Sequence, residues 1–461
     1  MMRILINILI IVLIFMTSAI GHEIKEKNYN SIKTILLQDS TRIISSDTID
    51  IYPKDDNHDT LIPKRNRIWW YSELKNIPTD KQTVININGD GWRGGKYVVP
   101  VYSYDNELWY RFQDSEIVDK KGADALWNYS LKKQFDLPNV NIARTYPYFP
   151  DRIEKLLTKN KRNIYLKHEI IGRSPLGYPI YMLIITDNTV PEYKKKRIWI
   201  QARTHSGETQ SSFVLEGIIK YLLSPENYKN KVIDLKEVIF NIIPIVNVDG
   251  IAVGNSRFNS NGKDLERQWL KQKDNPYELE DSVSQEVQLL RSTMIRLSKS
   301  PAEFILALNI HGKNAFEGES PFLYTNFKKS LKEHGTEGDT IYRNQLLLAK
   351  CFTDFNNGDS ITVQIGYTPS QPMQEKPFPE SWWWANFHSQ VTAATIEITE
   401  SRKYPTKDRT DIKGYLDFGA AMAKGLFKFY QLDEAQKAET LHQPPFSNEE
   451  LEKFYNKNPW E

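Results

Sequence analysis

The chain has 461 residues, enough for two or three domains by the usual size of a single hydrophobic core. Its 40% hydrophobic and 12% aromatic residues can build a sizeable core, which excludes a mostly disordered chain. The 60 Lys and Arg nearly balance the 58 Asp and Glu, for a formal net charge of +2, without the clustered basic excess that nucleic-acid binding needs.

Residues 1–21 read as an export signal, cleaved or, in the alternative, kept as an uncleaved anchor. Arg3 supplies the positive start, Ile4 to Met16 the apolar run, and Ala19-Ile20-Gly21 a small-residue cleavage site. The run is shorter than the ~20 residues a membrane-spanning helix needs, so no stable span is expected after cleavage. The location this implies is exported, either periplasmic or secreted. Cys351 is the only cysteine, which rules out an intrachain disulfide framework.

Residues 22–64 form a polar lead-in. Over 65–143, runs such as "RIWWYSEL", "QTVININGDGW" and "KYVVPVYSYDNELWYRF" alternate aromatic or β-branched residues with polar ones. That texture predicts a small antiparallel β-sandwich domain. From Arg144 to about residue 432, strands alternate with helices. "YPIYMLIITD", "KKRIWIQAR", "EVIFNIIPIVNVDG", "EFILALNIHG" and "VTAATIEIT" are strand-like, whereas "TQSSFVLEGIIKYLL" and "VSQEVQLLRSTMIRL" have helical periodicity. The expected fold is α/β, a mixed and mainly parallel sheet covered by helices on both faces. Residues 433–461 read as a polar tail.

The chemistry-bearing residues fall at strand ends. "RIWIQARTH" ends at His205 and Glu208 opens the next helix, "EFILALNIH" ends at His311, and "VTAATIE" carries Glu397. In open α/β sheets the site lies outside the carboxyl ends of the strands, so these four can converge. Two imidazoles and one carboxylate make a three-ligand zinc site with a fourth position open. Singly, each residue has a plain structural reading: a satisfied core histidine, or a glutamate that complements a helix dipole. A second His-x-x-Glu, His334 to Glu337, follows a polar run and is read as a solvated loop.

Between these residues stands "IPIVNVDGIAVGNSRFNSNGKDLERQW". With "HSGET", "NVDG", "GNSR", "GKDLER", "NIHG" and "TIEIT" in that order, the chain resembles the zinc carboxypeptidase family. The likeness is closest to its cytosolic carboxypeptidase (deglutamylase-like) branch and that branch's bacterial relatives. It extends upstream through "TYPYFPDRIEKLL", and the β-rich module is similar to an extra N-terminal domain of that branch. The resemblance implies a carboxypeptidase-like catalytic domain over 144–432, with one Zn2+ per chain on His205, Glu208 and His311. It implies Glu397 as general base, Arg257 as stabiliser of the oxyanion, Arg267 as anchor of the substrate's terminal carboxylate, and peptide or protein C-termini as substrate.

Two departures stand out. The family's Asn-Arg pair is Glu266-Arg267 here, so Glu266 falls at a substrate-binding position where it repels a carboxylate unless turned away or neutralised. The family's tyrosine has no clear match, Tyr367 lying too far before Glu397. The run Trp382-Trp383-Trp384 either walls the specificity pocket or belongs, for at least two rings, to the core. Two other readings stay open: a zinc amidase acting on cell-wall or otherwise blocked peptides, and a non-catalytic binding protein on the same scaffold.

Overall fold

The structure is a computed structural model. It describes residues 27–29, 41–43, 47–54, 56, 69–89, 99–119, 128–230, 233–270, 283–313, 321–325, 331–356, 361–365, 377–399 and 410–441. Residues 1–21, read as an export signal from the sequence, and Tyr367 lie outside them.

The N-terminal strands are β1 (Thr41–Ile43), β2 (Thr48–Ile51), β3 (Tyr71–Lys75), β4 (Thr83–Asn88), β5 (Val101–Ser103), β6 (Tyr110–Arg111), β7 (Ile117–Asp119), β8 (Asn128–Lys133) and β9 (Val140–Ala143). They form a five-stranded sheet, β1-β3-β9-β5-β6, and a four-stranded one, β2-β4-β8-β7. The pairings are antiparallel except β1 with β3 and β2 with β4. Alternation makes the shared core: in β4, Thr83, Ile85 and Ile87 point inward, and Ile85 and Ile87 meet Leu131, Trp70 and Phe112. Two of these strands come from the stretch before Arg65, which the sequence reads as lead-in.

Eight further strands form one mixed sheet in the order β10-β11-β13-β12-β14-β17-β15-β16. They are β10 (Leu166–Arg173), β11 (Pro179–Ile185), β12 (Lys196–Ala202), β13 (Val238–Ile243), β14 (Glu303–Lys313), β15 (Phe322–Thr325), β16 (Thr362–Ile365) and β17 (Thr392–Thr399). The central neighbours β13, β12, β14 and β17 are parallel. Both faces of these strands are buried, so they read as near-continuous apolar runs. On β12, Ile198, Ile200 and Ala202 enter one core while Trp199 enters the other.

The first core lies under the helices Thr209–Leu222, Leu331–Phe355 and Ile412–Gln431. Gly217 and Gly419 let two of these helices close on each other: a Cβ at Gly419 would stand 2.0 Å from the Val214 carbonyl oxygen. The second core lies under Gln285–Ser298 and Pro379–Phe387 and takes Trp382 and Trp383, packed among Trp199, Trp269 and Phe304. Trp384 joins the first core, so all three tryptophans are packing residues. His334 to Glu337 lie in the helix Leu331–Phe355, not in a loop.

Candidate active site

Parallel register assembles the site. His311 on β14 pairs directly with Glu397 on β17, and Ala202, at the end of β12, pairs with Ile310. His205 follows three residues later, after a turn at Arg203, whose backbone is left-handed at φ 60°. The buried Arg203 guanidinium stitches that turn by donating to the Ser206 carbonyl at 2.7 Å and to Ser212 Oγ at 3.0 Å. Strain of this kind persists only where surrounding bonds over-determine it. Glu208 occupies the N-cap position of the helix Thr209–Leu222 but caps nothing with its side chain. Its carboxylate reaches instead to both histidines and accepts from the Gly312 N–H at 3.0 Å.

His205 Nδ1 lies 2.7 Å from one Glu208 oxygen, His311 Nδ1 lies 2.9 Å from the other, and the two Nδ1 atoms are 3.2 Å apart. Donors of a tetrahedral zinc ion stand roughly 3.3 Å apart, given ligand bonds of ~2.0–2.1 Å. This buried trio therefore fits a single zinc ion, with ligand atoms all within 4.8 Å of one another. Both rings offer Nδ1 to the centre and turn Nε2 to a carboxylate behind. For His205 this is Asp264 at 3.2 Å, and for His311 it is Glu266 at 3.1 Å. Such outer carboxylates fix tautomer and ring orientation. Burial acts to lower the His311 pKa, but Glu266 and Glu208 raise it well above the ordinary histidine value. The pair thus favours positive charge where a cation would sit.

Asp264 N-caps the short turn Leu265–Arg267. Burial works against its ionisation, yet Arg257 and Arg267 hold its carboxyl well below the usual range. Arg257 Nε donates to Asp264 Oδ2 at 2.7 Å; Arg267 Nη1 stands 3.7 Å from the same oxygen, with its guanidinium over the Phe378 ring. The loop carrying Arg257 is built by Asn247, whose amide donates to the Arg257 carbonyl, and by Asn255, whose amide donates to the Phe258 and Asn259 carbonyls.

Glu397 is half-buried, and its Oε2 is buried without a hydrogen-bond partner among the described residues. Burial first, then the Glu208 charge, pushes its carboxyl up to about 7. An orphaned buried carboxyl oxygen beside three metal-ligating groups is what a site built around a cation and its water leaves behind.

Glu266 does not swing outward. It is buried, with Asn309 Nδ2 donating to both carboxylate oxygens at 3.1 Å. An open cleft of ≈ 470 Å³ joins these groups to Tyr324, Phe378, Glu380 and Thr395. The structure thus brings His205, Glu208, Arg257, Glu266, Arg267, His311 and Glu397 to one cleft. Sequence reasoning missed Arg203, Asp264, Tyr324 and Glu380. Asp264 stood inside the quoted "GKDLER", and Glu380 was the lone acid in an apolar segment ahead of three tryptophans.

Fold and donor set together define a metal-dependent hydrolase of the carboxypeptidase type. The zinc carboxypeptidase family model matches residues 153–417, and the chain belongs to that family. Members depend on zinc and act on free C-termini. The chain is 25% identical to cytosolic carboxypeptidase 6 of Homo sapiens over 421 residues, covering 86% of this chain and 77% of that one. With cytosolic carboxypeptidase 6 of Mus musculus it is 28% identical over 57% of this chain, a match spanning about half (51%) of the mouse protein. Among solved structures, a metallo-carboxypeptidase from Burkholderia cenocepacia is similar in fold, with a TM-score of 0.65 at 20% identity, covering 83% of this chain and 92% of that one. A metallo-carboxypeptidase from Pseudomonas aeruginosa, in complex with (2-guanidinoethylmercapto)succinic acid, gives 0.64 at 19%, covering 84% and 95%.

These relatives correct one expectation. The exported, periplasmic or secreted location read from residues 1–21 conflicts with relatives that are cytosolic carboxypeptidases, which point to the cytosol. Among the described residues, no helix is long and apolar enough to cross a membrane.

Proposed function

We propose that the chain hydrolyses the C-terminal peptide bond of peptides with a free terminal carboxylate, using one zinc ion held by His205, Glu208 and His311. The observation that carries this reading is the presence of two guanidinium groups, Arg257 and Arg267, in the same cleft as the His–Glu–His trio and Glu397. Bound zinc supplies Lewis acidity, lowering the pKa of a water toward ~7 and polarising the scissile carbonyl.

Glu397 is the general base in this reading. Its orphaned Oε2 takes the proton of the attacking water as the oxygen bonds to the carbonyl carbon. As the C–N bond breaks, the same carboxyl passes the proton to the leaving amine. Beside a trio that would hold a cation, Glu397 would stand as the carboxylate base. Arg257, fixed by Asp264, faces the negative charge that develops on the carbonyl oxygen, a contribution of roughly 3 kcal/mol for a donor of this kind. Arg267, stacked on Phe378, anchors the terminal carboxylate. Glu266 borders the same subsite, but its charge is engaged by His311 and Asn309, so Arg267 meets the substrate carboxylate alone.

The test compares peptides with free and amidated C-termini. Release of the last residue from free termini, abolished by a zinc chelator and by Glu397→Gln, supports the reading. Activity confined to amidated peptides, or insensitive to both controls, contradicts it.

A further inference from the structure

We propose that Glu380 sets the specificity of this cleft, selecting peptides whose C-terminal residue carries a cationic side chain, lysine or arginine. The inference deepens the carboxypeptidase reading and rests on it.

The charges in the cleft are segregated. Both arginines, 257 and 267, turn to Asp264. The two other carboxylates not assigned to the trio or to proton transfer, Glu266 and Glu380, have no Lys or Arg ion pair among the described residues. Glu266 is paired with His311, and Glu380 accepts a hydrogen bond from Thr395 Oγ1. Asn309 Nδ2 links them, donating to Glu266 and to Thr395 Oγ1 at 3.3 Å. A hydrogen-bonded chain thus holds two acids on one wall of the cleft.

Glu380 reaches that wall from the helix Pro379–Phe387, which the tryptophan core anchors, and only 3% of its surface is exposed. Burial first, then the charge of Glu266, pushes its carboxyl up to about 7, as expected of an acid lacking its counter-ion. Phe378 and Tyr324 line the same cleft and give an apolar path for a methylene stem. A terminal lysine or arginine anchored by its carboxylate at Arg267 would run that stem past the aromatic rings and place its charge beside Glu380. A terminal glutamate would bring a third carboxylate to a wall holding two, a like-charge contact that specific sites use to reject wrong partners.

The experiment uses the full zinc-loaded chain with N-blocked dipeptides ending in Lys, Arg, Glu or Phe, read as kcat/KM. Binding of the same peptides to the Glu397→Gln chain is read by calorimetry. Lys and Arg are expected to exceed Glu by about a hundredfold in turnover, with the same order in binding. Glu380→Gln is expected to cut the Lys-to-Phe ratio at least tenfold, mainly through KM, while Glu380→Asp keeps part of the preference. Glu-ending peptides turned over or bound as well as Lys-ending ones overturn the proposal without touching the carboxypeptidase reading. So does a Glu380→Gln chain in which all four substrates fall by one factor. If no dipeptide is turned over, the carboxypeptidase reading fails, and the calorimetric order alone decides whether Glu380 selects cations.

Discussion

Asp56 and Arg257 are 201 residues apart in the chain, yet the Arg257 N–H donates to the Asp56 carboxylate at 2.7 Å. The N–H groups of Ser256 and Phe258 donate to the same carboxylate at 2.6 and 3.0 Å. Lys54 and Trp69 bond to the same segment, through the Val253 carbonyl and Ser256 Oγ. The Ser256 carbonyl in turn accepts from Gly207 N at 2.6 Å, which joins the arginine loop to the metal-ligand loop. A segment preceding the N-terminal strands Tyr71–Lys75 onward therefore shapes both halves of the cleft.

Asp56→Ala leaves three adjacent N–H groups without their acceptor in a buried place. Unfolding in urea is expected to reveal a loss of about 2–4 kcal/mol. The folded fraction should bind zinc but show a lower kcat, because Arg257 loses its fixed backbone. Unchanged stability with unchanged kcat would dismiss the clamp.

Glu266 backs His311 as Asp264 backs His205, so each imidazole has a carboxylate on its far nitrogen. Glu266→Gln keeps the shape and removes the charge. Zinc affinity, measured by competition with a chromogenic chelator, is expected to fall about 10–100-fold. Equal affinity in both chains would mean that His311 is oriented by its strand alone.

The two arginines should separate in kinetics. Arg257→Ala is expected to lower kcat about 10²–10³-fold with little change in KM. Arg267→Ala is expected mainly to raise KM for free C-termini. The reverse pattern would exchange their roles.

Stability should also depend on pH through Glu286, a fully buried carboxyl that accepts from Asn259 Nδ2 at 3.2 Å. Burial, aided by the charge of Asp249, pushes it up to about 7 from an ordinary 4.5. The folded chain therefore holds this proton more tightly than the unfolded chain. Its contribution is complete below about pH 4.5 and is lost as pH rises toward 7, up to about 3 kcal/mol in all. Glu286→Gln should be less affected by pH in urea unfolding, gaining on the parent at pH 8 relative to pH 5. A pH-independent difference between the two chains would contradict this.

Much of this site was legible in the sequence because strand ends and chemistry coincide. His205, His311 and Glu397 each close a β-branched or apolar run, and the register of β14 with β17 sets His311 beside Glu397. The parallel core was legible too, since a strand buried on both faces has to be apolar throughout. The direction of Glu266 was not, because a carboxylate in a loop can face substrate, solvent or a histidine, and only Asn309 and His311 decide it. Glu380 was masked by its neighbours: three tryptophans drew the reading toward packing, which they do, while the acid turned to the cleft. Asp56 sat in a stretch with no strong periodicity, and its bond to Arg257 spans two-fifths of the chain.

In the proposed reaction a single zinc ion on His205, Glu208 and His311 is required for hydrolysis of a free C-terminal bond. The direct measurement strips the chain with chelator and titrates zinc back while following release of a C-terminal residue. Activity is expected to rise linearly and level off at one zinc per chain, with no recovery in His311→Ala. Full activity in the stripped chain, or recovery in His311→Ala at the same stoichiometry, would contradict it.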